Sequence, residues 1–160
     1  MKKKVELSSY CWIISALTFA LLCGILVYAS QQPGNEWAVV ILGISIALLF
    51  GLTLFYMPVS VSLGSDALKI NRPIRSKKIP LSDIESVRLC SPTMGAKRIC
   101  GSAGWFGWFS EGDLGKYFAY YGKASDCFLV TLKSGKKYML GCQDAPEMVE
   151  SISRYAYGNE

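Results

Sequence analysis

Two long apolar runs near the N-terminus give way to short segments in which apolar and polar residues alternate. The first run, Cys11 to Ala29, reads CWIISALTFALLCGILVYA. The second, Trp37 to Met57, reads WAVVILGISIALLFGLTLFYM. Neither contains Asp, Glu, Lys or Arg. A helix needs about 20 apolar residues to cross a bilayer core, so each run is long enough to span. Tyr10, Trp12, Tyr28, Trp37 and Tyr56 stand near the run ends, where amphipathic rings suit the headgroup layer. The connector SQQPGNE holds Pro33, Gly34 and Asn35, the residues of a tight turn. The pattern predicts a transmembrane helical hairpin over residues 1–57, with spans over 11–29 and 37–57.

From Pro58 the period changes to two. VSVSL (59–63) and ALKIN (67–71) alternate, SKKIPL resumes after Pro73, and IESVRLC (84–90) follows. CFLVTL and KKYML flank Lys133-Ser134-Gly135, which reads as a hairpin with Phe128, Val130 and Leu132 inward. The last segment has another period. Asp144 and Glu147 fit a capping box, and Met148, Val149, Ile152, Tyr155 and Ala156 recur at helical spacing. Short strands followed by one amphipathic helix predict a small antiparallel barrel or sandwich over 58–160. The helix covers an open end. The chain as a whole is thus expected to be an α+β membrane protein.

Charge sets the expected orientation. Lys2, Lys3 and Lys4 precede the first span, and Lys69, Arg72, Arg75, Lys77 and Lys78 follow the second. The connector holds Glu36 and no Lys or Arg. The positive-inside bias therefore predicts a multi-pass membrane protein with both termini and residues 58–160 in the cytoplasm. A signal peptide cleaved after Val27-Tyr28-Ala29 fits loosely, and would leave the domain on the same side.

The chemistry sought is mostly missing. The 160 residues include no His, which removes the usual base for a Ser or Cys nucleophile. Cys11 and Cys23 lie in the spans. Cys90, Cys100, Cys127 and Cys142 form no C-x-x-C pair and read as free thiols of a reducing compartment. Asp83 with Glu85 and Glu111 with Asp113 read as solvated carboxylates. A net charge of +5 beside an anionic leaflet is a mild attraction, not a nucleic-acid signature. No catalytic residue, metal or cofactor is expected.

Three features remain as site candidates. The basic run Arg72, Arg75, Lys77 and Lys78 follows the second span closely enough to meet anionic lipid headgroups, although topology bias alone also accounts for it. CGSAGWFGWF (100–109) sets Gly101, Gly104 and Gly107 among Trp105, Phe106, Trp108 and Phe109. It lacks the Lys of a phosphate loop. It reads either as a glycine-rich aromatic loop folded onto the barrel, or as a tip that reaches the membrane interface or a partner. Ala16, Ala20 and Gly24 in the first span, and Gly43, Ala47 and Gly51 in the second, fall at four-residue spacing. Such faces let helices approach closely, within the hairpin, in a homo-oligomer or against a partner.

ALKI, KKIPLSDIESVRL, RICGSAGWFGWFSEGDLGKYFAYY and DAPEMVESI, in that order, resemble the bacterial pleckstrin-homology-like (PH-like) domain family. The resemblance implies a PH-like barrel with a C-terminal capping helix behind two transmembrane helices. It implies no activity. Ser110 stands where a glycine is common, and GCQDAP departs from the usual stretch before the helix. The resulting expectation is a membrane-anchored binding or scaffolding module at the cytoplasmic face of a bacterial inner membrane, its partners the bilayer and an anionic headgroup or a protein. The alternatives are a membrane-bound enzyme or its accessory subunit, and a structural assembly factor.

Overall fold

The computed structural model of the chain describes residues 1–93, 95–102 and 106–157. Helices α1 (Ser9–Ser30) and α2 (Glu36–Tyr56) form the expected hairpin. Both are long and apolar enough to cross a membrane, and hardly any of either is buried. A core helix of a soluble protein is mostly buried, so this exposure sets the pair apart from that class. Leu22, Cys23, Leu26, Leu42 and Ile46 are half-buried, and Phe19 lies 6.2 Å from Phe50 across the pair. The small-residue faces play little part in that contact. Ala16, Ala20, Gly24, Ala47 and Gly51 are exposed, Gly43 is half-buried, and a Cβ on any of the three glycines would meet nothing within 4 Å.

Among the described residues, ten strands make two sheets. The first has the order β1 (Lys2–Lys4), β2 (Ser60–Leu63), β3 (Ala67–Asn71), β4 (Lys77–Pro80), all antiparallel. The second has the order β5 (Ile84–Leu89), β9 (Cys127–Leu132), β10 (Lys137–Gly141), β8 (Gly115–Tyr120), β7 (Phe106–Glu111), β6 (Lys97–Ser102). Its β8–β10 pair is parallel and the rest are antiparallel. Among the described residues no ladder joins the two sheets, so the expected barrel is not closed. The alternating residues meet between the sheets: Val61, Leu68, Ile70 and Ile79 face Phe128, Val130, Tyr138 and Leu140. Helix α3 (Ala145–Tyr157) seals one end with Met148 and Ile152, both fully buried. Burial of each such side chain contributes roughly 1.5–3 kcal/mol, so this layer carries much of the domain's stability.

Two regions depart from the expectation. Lys2–Lys4, which precede the first span, are an edge strand of the domain: Lys3 stands opposite Val61 across β1 and β2. The segment is fastened further by Gln143 N–H donating to the Lys4 carbonyl (2.9 Å) and Ser8 N–H donating to the Gly122 carbonyl (3.2 Å). Lys3 Nζ donates to Asp144 (2.9 Å) and Glu147 (2.5 Å), the two carboxylates expected to cap α3. A chain segment before the hairpin thus closes on the sheet and helix that come after it.

The second departure is the aromatic stretch, expected as a loop. Its described residues belong to strands β6 and β7, with Gly101 opposite Gly107 and Cys100 opposite Trp108. Gly104 and Trp105 lie outside the described residues. Phe109 is buried against Tyr117, while Phe106 is half-buried and Trp108 is 47% exposed. The outer face of this sheet is covered in turn. Buried Glu111 accepts hydrogen bonds from the Thr93 N–H and hydroxyl and from the Tyr117 hydroxyl, which ties the β5–β6 connection over Tyr117, Leu129 and Met139.

Candidate functional site

The β3–β4 turn brings the basic run together at the foot of α2. Asn71 ends β3 with its side-chain amide donating to the Ser60 and Ser62 hydroxyls, and its carbonyl accepting from Ser76. That fixes both arms of the turn. Inside it, Arg72 Nε donates to the Arg75 carbonyl at 2.7 Å. The Arg72 guanidinium carbon then lies 5.3 Å from the ring centre of Phe55, 5.6 Å from Tyr56 and 5.9 Å from Tyr120. Three rings around one guanidinium hold it by cation–π attraction and leave its edge free to donate.

Lys77 is held differently. Its Nζ donates to the Tyr138 hydroxyl at 2.8 Å and lies 4.1 Å from that ring's centre. Phe55, Tyr56, Arg72, Arg75, Ser76, Lys77, Lys78 and Tyr120 line a groove of about 360 Å³. Among the described residues, the lining holds four cations and no carboxylate. Among the described residues, the ion pairs use Lys3, Lys123 and Arg154, and none uses Arg72, Arg75, Lys77 or Lys78. Burial pushes the Tyr120 phenol up to about 12, with Arg72 pulling the other way, so it stays neutral at physiological pH. The groove thus presents a positively charged lining beside a neutral phenol.

A second depression, of about 490 Å³, runs between the end of β5 and the start of α3, lined by Leu89, Cys90, Asp126, Cys127, Asp144 and Pro146 among others. Its carboxylates are engaged, Asp144 by Lys3 and Asp126 by Lys123 at 3.9 Å. No group of three His, Cys, Asp or Glu side chains converges among the described residues. Burial raises both the Cys127 and the Cys142 thiol from 9.0 to about 12. Such thiols are poor nucleophiles, since the thiolate is the reactive form.

These raised values make the domain alkali-sensitive. A group whose pKa is higher folded than unfolded stabilises the fold below the unfolded value, and loses that contribution as pH climbs to the folded one. Cys127 and Cys142 therefore place the loss between pH 9.0 and about 12, and Tyr121, raised by burial from 10.0 to about 12, adds to its upper part. The melting temperature of the full chain in detergent should fall steeply across that window. Replacing Cys127 and Cys142 by Ala should soften the fall; an identical slope would remove the thiols as its cause.

Of the sequence candidates, the structure gathers the basic run into one groove, spreads the aromatic stretch over two strands and leaves the small-residue faces mostly exposed. Sequence reasoning missed Phe55, Tyr56 and Tyr120 as the seat of Arg72. Phe55 and Tyr56 read as span residues, and Tyr120 comes from a strand far along the chain.

Among known protein families, residues 59–156 match the bacterial PH domain. No curated protein and no solved structure matches the chain. The match takes in the strands from β2 onward and all but the last residue of α3, which is more than half of the 160 residues. The chain belongs to the bacterial PH domain family.

Proposed function

We propose that this protein is a non-catalytic binding module, held against a bacterial inner membrane by its helical hairpin. Its basic groove takes the phosphate of an anionic lipid headgroup. The observation that carries the reading is the set of four cations, without a carboxylate among them, gathered beside the last turn of α2. If α2 spans, that turn lies at the membrane surface, where each basic residue gains roughly 1 kcal/mol from an anionic leaflet.

The β1–β2 ladder supports the topology. Strand β1 precedes the first span and β2 follows the second, so an intact ladder requires both on one side. Cleavage after Ala29 would remove β1 together with the Lys3 ion pairs. The Lys and Arg residues on that side, against none in the connector, favour the cytoplasm.

Exposure decides which thiol reports orientation. Cys127 and Cys142 are buried and silent on either side, and Cys100 stands across the strand from Trp108, whereas Ser134 in the β9–β10 turn is exposed. A chain with its six cysteines replaced by Ser and Ser134 replaced by Cys should resist an impermeant maleimide on intact spheroplasts and react after permeabilisation. Labelling of intact spheroplasts would overturn the cytoplasmic placement.

A further inference from the structure

Beyond the groove, the face of β7 and β8 next to α2 stays partly uncovered. We propose that this face, formed by Phe106, Trp108 and Phe118, is a second membrane-contact surface, with Trp108 seated in the lipid headgroup layer. The inference rests on the reading of α1 and α2 as spans.

The contact begins at the end of α2. Tyr56, its last residue, stacks on Phe106 at 5.2 Å and lies 6.3 Å from Phe118. Trp108 meets Phe118 edge-on at 5.1 Å, as its direct cross-strand partner. Phe106 and Trp108 are two residues apart on one strand, so they share a face. Their separation of about 7 Å is close to the depth of one headgroup layer.

The face changes character along the strands. After the Phe106 level comes the half-exposed Trp108 beside Phe118, and after that Ser110 opposite Lys116. Apolar ring, amphipathic ring and then a polar pair with a cation is the order met on passing from hydrocarbon through an anionic interface to water. Cys100, across the strand from Trp108, is also exposed, and neighbouring Ile99 is 56% exposed. The groove and this face share Tyr56, which stacks on Phe106 and carries Arg72, so both meet the membrane at one level. Continuity with the hairpin and the adjacent cations favour lipid over a protein as the occupant.

The test uses the full chain in phosphatidylcholine–phosphatidylglycerol vesicles with Trp108 as its single tryptophan, the other three replaced by Phe. Spin labels are placed on the lipid headgroup or deep in the acyl chain. Trp108 is expected to lose most of its emission to the headgroup label, to lose little to the deep label, and to be shielded from aqueous acrylamide. A companion chain with Trp37 alone reports on α2. Trp37 quenched by lipid with Trp108 open to acrylamide overturns the inference and leaves the anchor standing. Trp108 shielded from both lipid label and acrylamide also overturns it, because a protein surface then covers the face. Quenching of neither residue by lipid removes the anchor, and the inference with it.

Discussion

Replacing Gly101 by Ala should cost the domain about 2–5 kcal/mol, a large share of the 5–15 kcal/mol that usually holds a fold together. Gly101 and Gly107 face each other across β6 and β7. A Cβ on Gly101 would lie 2.4 Å from Gly107 Cα and 2.4 Å from the Phe106 carbonyl oxygen, both fixed backbone atoms. Its φ of 119° adds strain that side chains rarely tolerate. Gly107 meets the same wall from the other strand, with a Cβ 2.5 Å from the Cys100 carbonyl oxygen, and its Ala variant should be destabilised through crowding alone. Gly112, whose Cβ would meet nothing within 4 Å, is the control and should tolerate Ala nearly unchanged. Thermal unfolding of the full chain followed by near-ultraviolet circular dichroism checks all three. A Gly101→Ala melt matching that of Gly112→Ala would contradict the close approach.

That strand pair also shows why the aromatic stretch was illegible as strand. The buried positions of β7 are Gly107, Phe109 and Glu111, on the outer face of the sheet beneath the β5–β6 connection. Only one is apolar with a side chain, so the period of two is hidden. Glycine is there because backbone needs the space, and Glu111 because Thr93 and Tyr117 satisfy it. Strand β1 was illegible for a related reason. Lys2–Lys4 pairs through its backbone, and its inward charge is answered by Asp144 and Glu147 at the far end of the chain. By contrast β2, β3, β9 and β10 announce themselves, because burial on the inner face demands Val61, Leu68, Ile70, Phe128, Val130 and Leu140 at alternate positions. The two long apolar helices were legible by length and composition alone. In the site, local sequence supplied the four cations but not their geometry, which depends on Tyr120 reaching Arg72 from β8.

Neutralising Arg72, Arg75, Lys77 and Lys78 together to Gln should weaken binding of a short-chain phosphatidylglycerol, added to the full chain in a neutral detergent, by about 100- to 1000-fold at low salt. The range follows from roughly 1 kcal/mol for each cation near an anionic surface, with tenfold in affinity for each 1.4 kcal/mol. The intact chain should lose affinity as salt rises, because its exposed cations are screened over about 8 Å at physiological ionic strength. The variant should show little salt dependence. Arg72→Lys alone is informative: it keeps the charge but loses the planar group seated among Phe55, Tyr56 and Tyr120. It should lose more affinity than Lys78→Gln. All four positions are outside the buried core, so melting temperatures should stay close to that of the parent. An unchanged phosphatidylglycerol affinity in a folded quadruple variant would show that the cations only orient the chain.

The most direct test of a membrane-anchored headgroup binder is native mass spectrometry of the full chain released from bacterial membranes into a neutral detergent. The expected spectrum shows the chain with anionic phospholipid bound in preference to zwitterionic phospholipid, and the adduct disappears in the quadruple variant. A chain that emerges free of lipid, or that retains zwitterionic phospholipid equally well, would contradict the account.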